Sequence, residues 1–433
     1  MIGPRNDRQQ KWVGWFRLLA DYGSAQIAIQ FLGFLSGILI VRHLSKPDYA
    51  WFTIANTFVA TMAMLSDCGI GSALSAIGGT IWQDNTKFGS LISTALTLRR
   101  RLAVVSTLVV TPFFIWILLK NHAPSTIIAG VVPLGLAASL LQLTVVVLGV
   151  VISLRQEIHR MKILGLAAAL LRLGFLAPAC LIFLDVRIAL LAGAIATGVQ
   201  VLLLRRWVNM SIQLHAPESP EYRKQILAIV GKQAPLTAFY CLQGQIVVWL
   251  ISIFGNPQHV ADIGALGRFA ILFALISSVM NGVVVPRFAR CQDGVILRRR
   301  YWQIAIGFTF LAGSLVALSA AFPHLLLWLI GSQYANLENE LWLMMLSGAS
   351  SGMFVCLVSL TQAKGWILPA VISIPIEIAT QIILIRNFDF STVRGVLLIG
   401  CFTPLPLIVL NMIVAHRKMT KTPPPSSAAL AMA

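Results

Sequence analysis

The chain has 433 residues, 58% of them hydrophobic and only 11% charged, with a mean hydropathy of +0.83, which excludes a water-soluble globular protein. Its 33 Lys and Arg outweigh 15 Asp and Glu, giving a net charge of +18. A surplus of that size fits a nucleic-acid binder or a membrane protein with basic inner loops, and the placement of the charges separates the two.

Residues 1–19 come first, with Arg5, Arg8, Lys11 and Arg17 around Trp12, Trp15 and Phe16. They hold no compact apolar run before a small-residue cleavage site, so they read as a cytoplasmic interfacial helix and not as a signal peptide. Six apolar runs follow, each near the ~20 residues a spanning helix needs. They are Tyr22 to Val41, Phe52 to Ala76, Leu102 to Leu119, Thr126 to Ile152, Ile163 to Leu184, and Val186 to Leu204. A polar loop over 205–225 separates them from six more: Ile226 to Phe254, Ile263 to Val285, Trp302 to Ala321, Leu341 to Leu360, Trp366 to Ile385, and Val396 to Ala415. Runs this long and apolar exclude alternating barrel strands, so the fold class is all-α and polytopic. The expected architecture is about twelve transmembrane helices in two six-helix lobes, 20–204 and 226–416, around a central cavity. A Pro- and Ala-rich tail, 417–433, is expected to be disordered.

Outside the spans, 24 Lys and Arg fall on the side of the N-terminus and 6 on the other. The positive-inside rule then puts both termini in the cytoplasm, and for a bacterial chain the membrane is the cytoplasmic (inner) one. The charge surplus reports orientation, so no nucleic-acid partner is expected. Six Cys (Cys68, Cys180, Cys241, Cys291, Cys356, Cys401) lie scattered with no CxxC pair, and the His lie in loops or near helix ends. Neither a metal site nor a disulfide framework is supported, and no cofactor is expected.

Three basic residues sit within the spans: Arg172, Lys232 and Arg268. A cation at the centre of a spanning helix costs about 3 kcal/mol even on lenient insertion scales, so retained cations suggest a cavity that receives an anion. Arg268 lies close enough to a span end to snorkel, Lys232 could snorkel or be structurally paired, and structural pairing is also the alternative for Arg172. The first helix of each half carries polar or small residues at i, i+4, i+7 and i+11: Gln26, Gln30, Gly33 and Gly37, then Gln233, Thr237, Tyr240 and Gly244. Gln243 continues the face of Lys232. For Gly33 and Gly37, and for Gly348 and Gly352, small-xxx-small packing is the alternative reading. Two acids lie within spans. Glu377 is the candidate ion-coupling group, and Asp67 is either a second one or structural, in a run (Asp67-Cys68-Gly69-Ile70-Gly71) that favours a broken or capped helix. Prolines inside spans three, four, five, seven, eleven and twelve suggest further helix breaks.

Four segments in order resemble bacterial polysaccharide flippases of the multidrug/oligosaccharidyl-lipid/polysaccharide exporter (MOP) superfamily. VRHLSKPDYAWF (Val41 to Phe52) is similar to that family's Arg-x-Leu-Gly-Pro-x-x-Tyr-Gly turn. SDCGIGSAL (Ser66 to Leu74) is similar to its Asp-x-Gly-hydrophobic-Gly run, VVVPRFAR (Val283 to Arg290) to the exit of its eighth span, and WLIGSQYANLENELWLMMLSG (Trp328 to Gly348) to its approach to span ten. Ser45 and Lys46 stand where the pattern has Gly before Pro47, and Ala50 where it has Gly after Tyr49. Twelve spans rather than fourteen argue against a peptidoglycan-precursor flippase.

The resemblance implies movement of a polyprenyl-diphosphate-linked oligosaccharide between leaflets, for O-antigen or exopolysaccharide synthesis. Its implied partners are that lipid-linked substrate, membrane lipid, and a polysaccharide polymerase with export machinery. Arg172, Lys232 and Arg268 are then diphosphate contacts, Arg42 a further one near the outer surface, and Gln26, Gln30, Gln233 and Gln243 polar contacts to the head group. No GxxxxGK[ST] motif occurs, so any coupling comes from a gradient or from product removal. Two other readings stay open. A drug exporter of the same superfamily would carry more membrane acids. A membrane polysaccharide polymerase, ligase or glycosyltransferase would place an acid/base cluster in an outer loop, and no such cluster is seen, so the chain is not read as an enzyme.

Overall fold

The computed structural model describes residues 25–81, 83–155, 157–211, 217–289, 291, 294–366 and 368–420. The interfacial segment at 1–19 and most of the tail lie outside these residues. Every regular element among them is helical. In chain order they are α1 (Ala25–His43), α2 (Lys46–Asp67), α3 (Ile70–Ile81), α4 (Asn85–Lys120), α5 (Ser125–Leu154), α6 (Ile158–Ile182), α7 (Val186–Ser211), α8 (Pro220–Phe254) and α9 (Pro257–Leu266). Then come α10 (Ile271–Val279), α11 (Val285–Ala289), α12 (Gly294–Ala321), α13 (Pro323–Ile330), α14 (Glu338–Ala363), α15 (Ala370–Asn387), α16 (Val393–Phe402) and α17 (Leu405–Thr420). Eleven helical stretches are long and apolar enough to cross a membrane, and the bent pair α2–α3 makes a twelfth. The protein is thus an all-helical, polytopic membrane protein.

Helix ends follow local chemistry. Asp84 starts α4 well before the apolar run, its Oδ1 accepting from the Thr86 and Lys87 amides at 3.1 Å each. Those amides, led by Lys87, hold its carboxyl below the usual range, so the cap persists at neutral pH and is lost only as pH falls through that lowered value. Ser45 caps α2, with Pro47 in its first turn. Between α2 and α3, Cys68 and Gly69 adopt φ 40° and 91°, and the helix axis bends by 45°. The break expected at Asp67 is present, and glycine is needed there because φ is positive.

The prolines behave differently from expectation. Helices run on through Pro112, Pro133, Pro178, Pro235 and Pro375. Only the last span divides, where Thr403 and Pro404 separate α16 from α17. A proline removes one backbone hydrogen bond, whereas opening a turn in lipid exposes several groups with no water to bind them. A π turn at Met280–Val284 precedes Pro286, which has no N–H to donate. The sequence also misses α13, in the stretch between spans nine and ten. At the C-terminus, α17 continues to Thr420, so the first four residues of the tail expected to begin at 417 are helical.

Contacts divide the chain into one unit from Ser24 to Gly264 and another beginning at Ala265. The loop expected to divide the lobes at 205–225 lies within the first unit, because α8 packs on α2, α3 and α4. The core of this unit gathers Ile70 and Leu74 of α3, Phe88 and Leu91 of α4, Val147 and Val151 of α5, Leu204 of α7 and Ile226 of α8. Near the opposite helix ends, Trp51 Nε1 donates to Asn121 O at 3.0 Å, and Asn121 Nδ2 to Ser252 O at 2.9 Å. Tyr49 Oη donates to Gly264 O at 3.1 Å. Lys46, which departs from the flippase pattern, forms a 3.0 Å ion pair with Asp262.

In the second unit, Gly348 and Gly352 of α14 pack against Phe273 of α10 and Phe308 of α12. A Cβ on Gly348 would lie 2.7 Å from Phe273 Cδ2, whereas a Cβ on Gly33 of α1 would meet nothing within 4 Å. Gly33 and Gly348 therefore differ, and of the two only Gly348 makes a close contact. Gly348→Ala is expected to destabilise by about 1–3 kcal/mol through overpacking. Gly33→Ala is expected to be neutral or to stabilise by up to ~1 kcal/mol through helix propensity. Melting temperatures of the purified variants check both.

Candidate functional site

The most constrained charge in the first unit is one that the sequence places in a loop. By hydropathy Arg99 falls with Lys87, Arg100 and Arg101 in the loop before the apolar run that starts at Leu102, but α4 begins at Asn85 and carries Arg99 four turns into the helix. Its side chain is only 3% exposed and its Nη2 lies 2.8 Å from Asp67 Oδ1. Asp67 also accepts from the Gly71 amide at 3.2 Å, which ties the pair to the α2–α3 break. Arg99 Nε and Nη1 are buried without a hydrogen-bond partner. The local signal for this pair was the Arg-Arg-Arg run itself, which resembles an ordinary inner-loop cluster. Only the packing of α4 against α2 and α3 distinguishes its first member.

Arg99 lines a cavity of about 710 Å³ between α4, α5 and α7, within the first unit. Arg100, Arg205 and Asn209 join it as polar lining, and Leu140, Leu143 and Leu148 as apolar lining. No acidic residue is among its lining. The volume falls within the ~300–1,000 Å³ range of small-ligand sites.

The residues singled out by sequence are distributed as follows. Arg172 is half-buried on α6, with its Nε enclosed. Helix α6 packs on α1 where Gly165 meets Ile29 too closely for a Cβ, and α1 carries the half-buried Gln26 and Gln30. Arg42 is exposed at the end of α1. Lys232 and Gln233 lie on α8 with side chains outside the described residues, while Gln243 of the same helix is half-buried. These residues belong to the first unit. In the second, Arg268 is half-buried in a 3₁₀ turn at Gly267–Ala270. Glu377 is 6% exposed on α15, between the equally buried Ser373 and Gln381 one turn either side, and its Oε2 has no hydrogen-bond partner. Of the residues expected to act, the structure joins Asp67 to a partner that the sequence had not proposed.

The other buried aspartates of the first unit are also paired. Asp185 is held by Arg187 at 2.5 Å, and Asp262 by Lys46. All six Cys are free thiols, and no group of three metal-ligating side chains occurs among the described residues.

No protein-family model matches the chain, and no curated protein matches it in sequence. Solved structures do match. A multidrug resistance MATE family transporter of the MOP superfamily, in an inward-facing conformation, superposes with a TM-score of 0.66 over 92% of this chain and 98% of that one, at 14% identity. The chain has the fold of the MOP-superfamily transporters. A MOP superfamily transporter from Pyrococcus furiosus, described as having a binding pocket of reverse polarity, matches with a TM-score of 0.61 over 93% and 95% of the two chains, at 13% identity. An outward-facing MATE transporter gives 0.60 over 94% and 96%, at 14% identity. This is the fold expected from the flippase resemblance. At such low identity the MOP fold carries no information about what this chain transports.

Removing one partner of a buried ion pair costs about 3–5 kcal/mol, because the other charge is left uncompensated. Asp67→Ala is therefore expected to lower stability by roughly 3 kcal/mol, at the lower end because Asp67 is 26% exposed. The double variant Asp67→Ala/Arg99→Leu is expected to recover most of that loss. Thermal melting in detergent measures both, and no recovery would remove the pair from its structural role.

Proposed function

We propose that the protein is a transporter working by alternating access, and that it moves an anionic, polyprenyl-diphosphate-linked oligosaccharide from the cytoplasmic to the outer leaflet for polysaccharide synthesis. The observation that carries the sign of the cargo is the fate of the buried aspartates. Asp67, Asp185 and Asp262 each have a basic partner, so the first unit leaves no buried aspartate for a cationic substrate. Arg172, Lys232 and Arg268 are the basic residues that the sequence places within the spans, a chemistry suited to a diphosphate because Arg offers paired donors and Lys a point charge. A lipid-linked diphosphate sugar has a head too polar to cross hydrocarbon unaided, while its chain can stay in the bilayer. Gln26, Gln30, Gln233 and Gln243 offer amide contacts to sugar hydroxyls, and Arg42 an exposed contact at the far end of α1.

A second reading, a drug exporter, is favoured by two observations. The matching structures include proteins described as multidrug resistance transporters. Glu377 is also a buried carboxyl with an unpartnered oxygen, the kind of group that takes a cation. In the flippase reading Glu377 is instead the coupling site.

In a host that has no second flippase, deletion of the gene is expected to trap lipid-linked oligosaccharide on the cytoplasmic leaflet, with sensitivity to cationic drugs unchanged. Normal delivery to the outer leaflet, or a marked gain in drug sensitivity, would favour the exporter. Arg172→Ala is expected to lower transport about tenfold or more at normal membrane abundance, the loss of one charge-assisted contact. Glu377→Gln is expected to make transport indifferent to an imposed proton gradient, measured in vesicles.

A further inference from the structure

The cavity between α4, α5 and α7 is lined by both basic and aliphatic side chains. Arg100, Arg205 and Asn209 stand exposed in that lining, and neither arginine has a hydrogen bond or ion pair among the described residues. Arg99 completes the basic group, 2% exposed, with Nη2 on Asp67 and two buried N–H-bearing atoms, Nε and Nη1, lacking an acceptor. A buried donor left unsatisfied is costly, so a ligand that supplies an acceptor gains by reaching it. Two carboxylates adjoin this arginine group. Asp67 is occupied by Arg99, and Glu218 accepts from Thr97 Oγ1 at 2.6 Å. Three arginines against two engaged acids leave the site net positive.

Beyond the arginines, α4 carries exposed aliphatic side chains. Four residues on from Arg100, Val104 is 60% exposed, followed by Val105 at 58%, Leu108 at 71% and Val109 at 69%. Of these, Val104 and Leu108 lie on the helix face of Arg100, one and two turns further along, while Val105 and Val109 turn away from it. A charged end and a strip of exposed aliphatic side chains together match one shape of ligand, an acidic head group with hydrocarbon chains. A free anion would use the arginines alone, whereas a lipid would also lay its chains on Val104 and Leu108.

We propose that this groove binds the phosphate head group of an anionic membrane lipid, drawn from the leaflet on the side of the basic loops, with Arg100 and Arg205 at the mouth and Arg99 beneath. The lipid's phosphate accepts from the guanidinium groups while its chains lie along Val104, Leu108 and their neighbours. The site uses none of the residues assigned to transport above, and stands whether the cargo is a lipid-linked saccharide or a drug.

The test is native mass spectrometry of the full-length protein with phosphatidylglycerol and phosphatidylcholine. The wild type is expected to retain phosphatidylglycerol in preference by about tenfold or more, the effect of two or three basic residues near a membrane surface. Arg100→Gln/Arg205→Gln, both exposed positions, is expected to lose that preference while its lipid-free melting temperature stays unchanged. Arg298→Gln/Arg299→Gln, equally exposed on α12, is expected to keep it. Equal retention of the two lipids by the wild type, an undiminished preference in the Arg100/Arg205 variant, or an equal loss in the Arg298/Arg299 variant would each overturn the proposal. Millimolar inorganic phosphate is the final probe. If it displaces phosphatidylglycerol and raises the melting temperature as much as the lipid does, the groove is a free-anion site and the lipid assignment fails.

Discussion

The absence of water in the hydrocarbon core governs this molecule. Each backbone N–H and C=O there must find a partner within the chain, and only the helix provides one locally at every residue. The constraint is strong enough that five helices absorb an internal proline and continue. Where the helix does break, between α2 and α3, compensation is visible. The Cys68 amide returns to Met64 O, and Asp67 takes up the Gly71 amide.

The same low dielectric acts on side chains. Asp67, Asp185 and Asp262 are each neutralised by a basic residue that the chain brings to them, over two residues in one case and across 32 and 216 residues in the others. Pairing of this kind stabilises less than it constrains, since two desolvated charges roughly offset their own attraction. Its consequence is selective. It removes these aspartates from the inventory of open charges in the first unit, while Glu377 in the second unit is a buried carboxyl with an open oxygen. The lipid-phosphate groove and the proposed cargo follow from this one asymmetry.

The shared MOP fold gives the transport reading its architecture, and the charges give it direction. The fold does not fix the polarity of its pocket, since one neighbour is described as having a binding pocket of reverse polarity. The sign and spacing of the side chains inside this chain therefore carry the functional argument.

Hydropathy alone located the membrane-spanning stretches, because a spanning segment must be apolar along its whole length and so declares itself locally. The break after Asp67 was legible for a similar reason, since two glycines within three residues mark a backbone that leaves the helix. What the sequence could not determine was which charges are buried together. Arg99 reads as one of three loop cations, and becomes a buried partner of Asp67 only because α4 begins a further seventeen residues back and packs on α2 and α3. Gly33 and Gly348 likewise look alike in sequence, yet one faces open space and the other a phenylalanine ring. Periodicity assigns a residue to a face, but what that face meets is a long-range fact, and here the tertiary structure alone decided it.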